Sequence, residues 1–418
     1  MRRRSTGLGK ALDGAADVVP SLGEGGTEMS ESLRSEVFLR SAAVIRDQCV
    51  RIDSHQSLFP GGRNGPYRDL ESPIRNTAHA LSVVSIAYAL TGDKTFRRCG
   101  SSLVRFLLDS TDFVFGEEHV HRQRHPKDWT NGVIGPAWVT EGLTLAYQCL
   151  GHAEAREEAR RLSRARPFSE DAALWLRRNL DGGPGTVDRT LNHQCFLAGS
   201  LYRALNVGSE DSSGDGLGVF FRYLDGNAVH VGNDGILRHH VARQDESGRG
   251  LRAQRERALR YVANSPRLMR VLRPSSSMAK HPSLRDAGYH IFSLFALARL
   301  ALSVPTLGLW QTEELRRALQ TAASIDWLET LDDNPFAYPY NGPGLELPLV
   351  AEAFRSIAPE LDEAADFAFA RQIELTYDTS FGAFTRGTDD RLTLMVRVYE
   401  LGLSLLAAGG HKHVGRGA

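Results

Sequence analysis

The sequence predicts an all-α protein, an (α/α)6-type toroid of antiparallel helical hairpins. Apolar residues recur at helical spacing in about a dozen segments, whereas the alternation that is typical of strands is rare. Short turn signals, such as Thr91-Gly92-Asp93 and Leu150-Gly151-His152, separate paired segments and indicate αα-hairpins. A superhelical solenoid is the alternative architecture, but its repeats would be expected to show a steadier period.

The predicted helices follow one another along most of the chain. Apolar periodicity places them near residues 31–50, 77–91, 93–109, 134–150, 152–165, 171–180, 191–206, 250–263, 286–304, 311–323, 345–357, 361–376 and 391–408. The best strand candidates are residues 218–223 and 228–231. They lie in a Gly- and Asp-rich stretch near residues 206–249, which we expect to form a small irregular or β-like excursion.

The two ends of the chain differ from the rest in composition. Residues 1–30 are rich in Gly, Ser and charged residues and are predicted to be disordered, and residues 411–418 are predicted to form a flexible tail. The toroid is therefore expected to be a single domain over residues 31–410. Met1-Arg2-Arg3-Arg4 resembles the start of a secretion signal, but no apolar segment follows it, so a cytoplasmic location is expected.

The composition narrows the class of partner. The chain of 418 residues is 42% hydrophobic and 24% charged, which is ordinary for a globular protein. Its 50 basic and 50 acidic side chains cancel, which argues against a nucleic-acid partner. No apolar run reaches the roughly 18 residues that span a bilayer, so no membrane insertion is expected. The four cysteines form no CxxC pair and are expected to be small core residues rather than zinc ligands.

A short cassette recurs ahead of five predicted helices: polar and aromatic residues in a Gly- or Pro-rich bend, followed by one amphipathic helix. Chemically capable residues at the starts of several helices are expected to share one surface at one end of the helical array. The five cassettes are residues 73–79, 128–132, 188–193, 286–290 and 338–344.

A metal site is not expected at the most His-rich segment. His119, His121 and His125 lie within seven residues, and imidazole is a common zinc ligand. Arg122, Arg124 and Lys127 surround them, however, and their positive charge would oppose a bound cation. We expect a basic loop that faces solvent or substrate. His239-His240 is also a poor metal pair, because adjacent residues on a strand point to opposite faces. No cofactor is expected.

Two His-containing pairs are the candidates for acid–base chemistry. Asn192-His193 opens a predicted helix, where the Asn could be a helix cap or could bind a carboxylate while the His moves a proton. Tyr289-His290 opens another. A Tyr needs a cationic neighbour to act as a base, and Arg285 is near in sequence; a core Tyr with a satisfied hydroxyl is the alternative.

Aromatic residues and carboxylates beside the bends are the candidates for sugar binding. Flat rings next to Gly or Pro could stack against sugar rings, although core packing also explains each one. A pair of carboxylates about 5–10 Å apart would permit glycoside hydrolysis. The predicted substrate-binding residues are Arg75, Asn76, His79, Asp128, Trp129, Trp138, Glu141, Asp188, Arg249, Tyr340, Asn341 and Glu346.

At these residues the sequence resembles the (α/α)-toroid polysaccharide lyases of the alginate-lyase and heparinase-like group. The resemblance covers residues 188–300 and rests on Asn192-His193, on Gly288-Tyr289-His290-Ile291-Phe292-Ser293-Leu294 and on Asp245-Glu246-Ser247-Gly248-Arg249. In that group the Asn neutralises the uronate carboxylate, and the His and Tyr remove and return protons. The resemblance implies these roles for Asn192, His193 and Tyr289. The chain departs from the group in that no C-terminal β-sandwich follows the helices.

The sequence also bears a weaker similarity to unsaturated-uronyl hydrolases and to the helical domain of glucuronyl C5-epimerases. The prediction is therefore a carbohydrate-active enzyme that cleaves uronate-containing oligo- or polysaccharides by β-elimination. Asn192, His193, Tyr289 and His290 are the predicted catalytic residues, with an Arg such as Arg75 or Arg249 assisting at the carboxylate. The alternatives are a glycoside hydrolase that uses paired carboxylates, a uronyl epimerase and a non-catalytic glycan-binding helical protein.

Overall fold

The computed structural model describes residues 26–115, 118–123, 128–179, 181–206, 216–226, 229–241 and 282–413. Within these ranges the chain is mainly helical. The helices are α1 Gly26–Gln48, α2 Pro73–Thr91, α3 Lys94–Asp109, α4 Ile134–Leu145 (continued by a π-helical turn, Ala146–Leu150), α5 Ala153–Arg164, α6 Leu191–Asn206, α7 Leu217–Asp225, α8 Pro282–Ser303, α9 Glu313–Ala323, α10 Ile325–Glu329, α11 Pro343–Phe354, α12 Leu361–Thr376, α13 Arg391–Val396 and α14 Tyr399–His413.

Six inner helices form a closed ring. Helix α2 contacts α4, α4 contacts α6, α6 contacts α8, α8 contacts α11, α11 contacts α14, and α14 returns to α2. An outer helix (α1, α3, α5, α7, α9 or α12) precedes each inner one and packs outside the ring, so all inner helices begin at the same end. The closure of α14 onto α2 distinguishes a toroid from an open solenoid. The predicted fold class is confirmed.

Local sequence explains why α2 is an inner helix and α3 an outer one. Ser72 caps α2 by accepting a hydrogen bond from the N–H of Ile74, Pro73 fits the first turn, and Gly92 ends the helix at φ 69°. Residues 73–87 are all buried, as expected of a helix that is surrounded by protein. In α3 the buried residues recur at helical spacing and the other face is exposed, so one face packs on the ring.

The strands described by the structure are short and lie in the connections between helices. Three antiparallel pairs have two-residue strands: β1 Val50–Arg51 with β2 Ser57–Leu58, β3 Val114–Phe115 with β4 Glu118–His119, and β8 Tyr377–Asp378 with β9 Ala383–Phe384. One sheet has three strands, in the order β5 Phe168–Ser169, β6 Leu174–Arg178 and β7 Pro184–Val187.

The predicted helix at residues 171–180 is wrong, because residues 174–178 form β6. The side chain of Gln194 in α6 supplements the pairing of β6 with β5 and β7. Its Oε1 accepts from the N–H of Trp175 at 3.0 Å, and its Nε2 donates to the carbonyl of Trp175 at 3.0 Å. These tertiary hydrogen bonds outweigh the weak helical periodicity of a short apolar segment.

The predicted strand at residues 218–223 is also wrong, because it lies in α7. Helix α7 buries Leu217, Phe220, Tyr223 and Leu224, which is the spacing of one helical face. The strand expected at residues 228–231 is reduced to an isolated bridge between Val231 and Leu237. The predicted helix at residues 250–263 lies outside the described residues.

The ends of the described chain differ slightly from the predicted boundaries. Helix α1 begins at Gly26, before residue 31, and α14 continues to His413. Residues 1–25 and 414–418 lie outside the described ranges, so the disordered start and flexible tail stay predictions.

One stretch within the described ranges, Arg391–Gly409, has the length and mean hydropathy (1.4) of a membrane-crossing helix. An 18-residue part of this stretch is 67% buried inside the protein, and a buried core helix meets the same criterion.

Candidate active site

A cavity of about 610 Å³ opens at the end of the barrel where the inner helices begin. Its walls come from the bend before α4, from the hairpin of β6 and β7, and from the first turn of α6. The side chains that matter most for its chemistry are Arg122, Asp128, Arg177 and His193.

His193 and Asp188 form a hydrogen-bonded pair at the edge of this cavity. Nδ1 of His193 lies 2.8 Å from Oδ2 of Asp188. Asp188 is fully buried, and its carboxylate also accepts from the N–H of Val133 and of Thr190 and from Arg177, each at 3.1 Å. Burial opposes ionisation of Asp188, but His193, Arg177 and the Val133 N–H lower its pKa well below the ordinary value.

An ionised Asp188 can only accept, so it requires the proton of neutral His193 to be on Nδ1. Nε2 of His193 is then unprotonated and free to take a proton. The side chain of His193 remains 19% exposed and lines the cavity. The pair therefore has the arrangement of a general base held in one tautomer by a buried carboxylate.

Gly132 allows the bend before α4 to approach this pair. Its φ is +67°, and a Cβ atom at this position would lie 2.2 Å from Oδ2 of Asp188 and 2.9 Å from Nδ1 of His193. The carboxylate of Asp128 accepts from the N–H of Gly132 at 2.6 Å and holds the bend in place.

Substituting Gly132→Ala is expected to lower activity at least tenfold, because the new methyl group displaces the His193–Asp188 pair. The strained backbone should also cost about 1–3 kcal/mol of stability. Gly151→Ala is the matched control: Gly151 has φ +80°, but an added Cβ would meet nothing within 4 Å. A larger stability loss for Gly132→Ala than for Gly151→Ala in urea denaturation, with an activity loss only for Gly132→Ala in initial rates of folded protein, would support this reading. Full activity of the Gly132 variant would contradict it.

Arg177 is the most exposed of the three arginines that line the cavity. Its Nη2 lies 3.1 Å from Asp188 and its Nη1 lies 3.9 Å from Asp128, yet its side chain remains 39% exposed. Arg122 is instead engaged by the carboxylate of Asp128, at 3.3 Å, and by Asn131. Arg178 is held by Glu118 and by two backbone carbonyls. A bound anion would therefore meet Arg177 first.

The sequence analysis missed Arg177 because it placed this residue in a helix. The signal that could have found it is Asp181-Gly182-Gly183-Pro184, which is typical of a hairpin turn directly after a short strand.

The Tyr289 cassette contributes a second polar cluster. The hydroxyl of Tyr289 donates to that of Tyr67 at 3.1 Å, and Tyr340 donates to Oδ1 of Asn64 at 2.9 Å. Burial raises the pKa of Tyr289 well above its ordinary value, so this side chain keeps its proton and is not a base in the resting protein.

His239 is a second residue that the sequence analysis did not select. Its ring centroid lies 4.7 Å from that of Tyr289, and its backbone N–H donates to Asp286. Burial, together with the charges of Arg285 and His193, lowers the pKa of His239 well below its ordinary value. His239 therefore lies as a neutral ring between the cavity and the tyrosine cluster. Only the folded position of residues 229–241 reveals this.

The other two predicted catalytic residues are deeply buried. Asn192 lies inside the first turn of α6, and its Nδ2 is 3.5 Å from Oγ of Ser293 in α8. In His290, Nδ1 accepts from the N–H of Leu237 and Nε2 donates to the carbonyl of Ala318. Burial lowers the pKa of His290 to about 4. Both ring nitrogens of His290 are thus occupied by structural hydrogen bonds.

Several predicted binding residues form the interior beneath the cassettes. The guanidinium of Arg75 lies 4.2 Å from the ring centroid of Trp138 and pairs with Glu71. His79 stacks on Tyr399 at 4.5 Å, and Nδ2 of Asn76 donates to the carbonyl of Pro60. These contacts are those of core residues.

The remaining predicted residues hold neighbouring elements together. Glu141 is bonded to Arg203 and Arg299; burial opposes its ionisation, but the two arginines lower its pKa to about 2. Glu346 pairs with Arg397, and Asn341 links Arg397 to the carbonyl of Gly288. The backbone carbonyl of Trp129 accepts from His121 and Arg122. Arg249 lies outside the described residues.

The cassettes nevertheless lie side by side, as the sequence predicts. Ser72, directly before the first cassette, donates its N–H to the carbonyl of His121 in the segment that leads to the second, and Val133, directly after the second cassette, donates its N–H to Asp188 of the third. Asn341 joins the fourth and fifth through Gly288. Among the predicted site residues, Asp128, Asp188 and His193 meet at the cavity. Among the described residues, no group of three His, Cys, Asp or Glu side chains is placed to hold a metal ion.

The closed ring of inner and outer helices is an (α/α)6 toroid, a fold shared with several solved structures of sugar-processing enzymes. The structure resembles D-mannose isomerase (TM-score 0.57, 12% identity, 93% of this chain and 100% of that chain). It also resembles the unsaturated glucuronyl hydrolase of Bacillus sp. GL1 (TM-score 0.55, 13% identity, 91% of this chain and 97% of that chain). A third similar structure is the cellobiose 2-epimerase of Bacillus thermoamylovorans B4167 (TM-score 0.55, 12% identity, 89% of this chain and 99% of that chain). At these identities the likeness shows the fold alone.

A curated relative defines the family. The chain is 33% identical over 342 residues to archaeal glycosylation protein Q of Haloferax volcanii. The aligned region covers 82% of this chain and 90% of the relative. The chain belongs to the family of that protein. No family model matches the sequence. The predicted toroid fold is thus confirmed, whereas the lyase subgroup stays a prediction.

Proposed function

We propose that this protein is an enzyme that removes the C5 proton of a uronate residue in an oligo- or polysaccharide, with His193 as the base, and that β-elimination follows. The observation that carries the proposal is the His193–Asp188 pair beside Arg177 in one polar cavity. The glycosylation relative and the sugar-processing enzymes that share the fold support a carbohydrate substrate.

The first step needs the carbanion at C5 to be stabilised, because a proton next to a carboxylate is only weakly acidic. Arg177 is placed to bind the substrate carboxylate and to offset the charge that develops as Nε2 of His193 takes the proton. The electron pair of the C5–H bond then forms the C4–C5 double bond as the C4–O bond breaks. The leaving oxygen takes a proton from the imidazolium, so that His193 returns to its neutral state.

The predicted roles of Asn192 and Tyr289 can be placed around this step. Asn192 adjoins His193 in the same helical turn but is buried, so we assign the main neutralisation of the carboxylate to Arg177. Tyr289 retains its proton and packs against His239, so in this scheme it binds as a neutral hydroxyl and His193 is the only base. Return of a proton to C5 instead of departure of the C4 oxygen would give the epimerase alternative.

Hydrolysis is the second candidate, because Asp128 and Asp188 both face the guanidinium of Arg177 on one wall of the cavity. A pair of carboxylates at suitable separation could cleave a glycosidic bond with water. Asp188 is fully buried, and its carboxylate is already bonded to His193, to Arg177 and to two backbone N–H groups. Of the two carboxylates, Asp128 is therefore the one that can meet a substrate directly.

Incubation with a panel of uronate oligosaccharides in D₂O separates these reactions in one experiment. We expect ultraviolet absorbance from an unsaturated uronate product, because elimination leaves a double bond conjugated with the carboxylate. Deuterium at C5 of recovered saturated uronate would indicate epimerisation. New reducing ends without either signal would overturn proton abstraction and favour hydrolysis by Asp128.

A further inference from the structure

Two of the four cysteines are in contact at the junction of α1 and α3. Sγ of Cys49, in the residue that follows α1, lies 3.6 Å from Sγ of Cys99 in the second turn of α3. Both side chains are partly exposed, whereas Cys195 is fully buried, as the sequence predicts for a small core residue. Neither Cys49 nor Cys99 lines the cavity of His193, so the pair is a separate feature of the molecule.

The last turn of α1 fixes this contact. Nη1 of Arg46 donates to Oγ1 of Thr95 at 2.9 Å. Thr95 precedes Cys99 by four positions, so the two residues share one face of α3. The thiol of Cys49 lies 3.3 Å from the carbonyl of Ile45, to which it donates, and this bond orients its sulfur. Arg46 thus holds the end of α1 against the same face of α3 that carries Cys99.

The two sulfur atoms are close enough to form a covalent bond after a small movement. A disulfide bond is about 2.05 Å long, so the two sulfurs must approach each other by about 1.5 Å. Cys49 lies between α1 and β1, outside both elements. A rotation of its side chain and a small shift of its backbone therefore leave the hydrogen bonds within α1 and α3 intact.

The two thiols differ in how readily they ionise. The contact with Cys49 and the positive charge of Arg46 lower the pKa of the Cys99 thiol, although burial opposes them. The contact with Cys99, together with burial, raises the pKa of the Cys49 thiol well above its ordinary value. Because the thiolate is the nucleophile, Cys99 is the thiol that attacks an oxidant and Cys49 is the thiol that resolves the intermediate.

We propose that Cys49 and Cys99 are a thiol-oxidation site, at which a small-molecule disulfide introduces a reversible cross-link between α1 and α3. The Cys99 thiolate attacks one sulfur of the small disulfide, whose S–S bond breaks and releases a first thiol. Sγ of Cys49 then attacks Sγ of Cys99, which forms the Cys49–Cys99 bond and releases a second thiol. The protons of the two cysteines pass to the two released sulfurs, so that two cysteine thiols are oxidised and one small disulfide is reduced.

Incubation of the reduced full-length protein with oxidised glutathione tests the site without any measurement of turnover. We expect the protein to lose two of its four free thiols and a peptide map without reduction to show Cys49 joined to Cys99. Dithiothreitol should reverse both changes. A glutathione adduct that persists on the wild-type protein, a link that includes Cys149, or four unchanged thiols would each overturn the proposal.

Single substitutions test the order of the two steps. Cys49→Ser should accumulate Cys99 joined to glutathione, because the resolving thiol is missing, whereas Cys99→Ser should leave Cys49 largely unmodified. The reverse pattern would overturn the assignment of the attacking thiol. Cys149→Ser is the matched control, since Cys149 is also partly exposed but is not a member of the pair. It should form the cross-link as the wild-type protein does.

Thermal melts measure what the cross-link does to the fold. The oxidised wild-type and Cys149→Ser proteins should melt about 3–6 °C above their reduced forms, because a cross-link between residues 50 positions apart restricts the unfolded chain. Cys49→Ser and Cys99→Ser should show no such rise. An unchanged or lower melting temperature of the cross-linked protein would overturn a bond that fits the native junction. These results leave the reaction at His193 to be decided separately by the uronate panel.

Discussion

Replacing His193 by Gln is expected to lower turnover of the uronate substrate by about 10²–10⁴-fold, the usual contribution of a positioned general base. Substrate affinity should change only a few-fold, because Arg177 remains in place to bind the carboxylate. Initial rates and calorimetric binding on the same preparation measure the two effects separately. A glycan-binding protein without catalysis has no turnover to lose, and its affinity alone would fall.

Asp188→Asn adds a test of how His193 is held. The amide nearly keeps the shape of the carboxylate but can donate to Nδ1, which would leave the proton on Nε2 and abolish the base. We expect a comparable loss of turnover, together with lower stability because Arg177 loses its buried partner. His152→Gln, at the start of the outer helix α5, is the control for His193→Gln and should keep full activity. Near wild-type rates for His193→Gln would contradict the assignment of the base.

The sequence selected both members of the His193–Asp188 pair, His193 as a predicted catalytic residue and Asp188 as a predicted binding residue, because both belong to one cassette. Asp188 and His193 are five residues apart, and the start of an inner helix brings them together without help from distant parts of the chain. Arg177 and His239 could not be found in this way. They reach the same region from β6 and from residues 229–241, and their positions depend on the tertiary contacts of Gln194 and Asp286.

The sequence also assigned binding roles to residues that prove to be buried. Glu141 and Glu346 are carboxylates in apolar helices, which is a pattern shared by catalytic acids and by buried ion pairs. The structure pairs Glu141 with Arg203 and Arg299, and it pairs Glu346 with Arg397. These arginines are 51 to 158 positions away from their glutamates along the chain. Helical periodicity predicts which face of a helix is buried, but it does not predict which charge from another helix meets it.

The closed ring was predictable for a related reason. The turn signals at Thr91-Gly92-Asp93 and Leu150-Gly151-His152 specify two of the hairpins, and inner helices that are apolar on most of their surface must be surrounded by other helices. The short strands between helices were not predictable, because two-residue pairs have no periodicity of their own.

Replacing Arg397 by Met is expected to lower the free energy of unfolding by about 3–5 kcal/mol, as when one partner of a buried ion pair is removed. Arg397 is 2% exposed and pairs with Glu346 at 2.5 Å and Glu400 at 2.6 Å. It also donates to the carbonyl of Tyr340 at 2.7 Å and to Asn341 at 2.9 Å. One guanidinium thus joins the last inner helix to α11 and to the fifth cassette, and its loss leaves two carboxylates buried.

The loss of stability in Arg397→Met should depend on pH in a definite direction. Burial and the nearby Glu400 already raise the pKa of Glu346 well above its ordinary value, and removing Arg397 raises it further. A carboxyl group whose pKa is raised in the folded state binds more protons there than in the unfolded state. Its contribution to the free energy of unfolding is therefore fully present below the unfolded pKa and falls as the pH rises above that value. Urea denaturation should therefore show a smaller deficit for Arg397→Met at pH 5 than at pH 7.

Two further variants decide whether the buried charge is the cause. Adding Glu346→Gln and Glu400→Gln to Arg397→Met removes both carboxylates and should recover part of the lost stability at pH 7. Arg355→Met breaks exposed pairs with Glu352 and Asp362 and should cost less than about 1 kcal/mol. A deficit for Arg397→Met that is independent of pH, and that the Gln substitutions do not reduce, would show that Arg397 stabilises the barrel through its packing against Phe292, whose ring centroid lies 4.9 Å away, rather than through its charge.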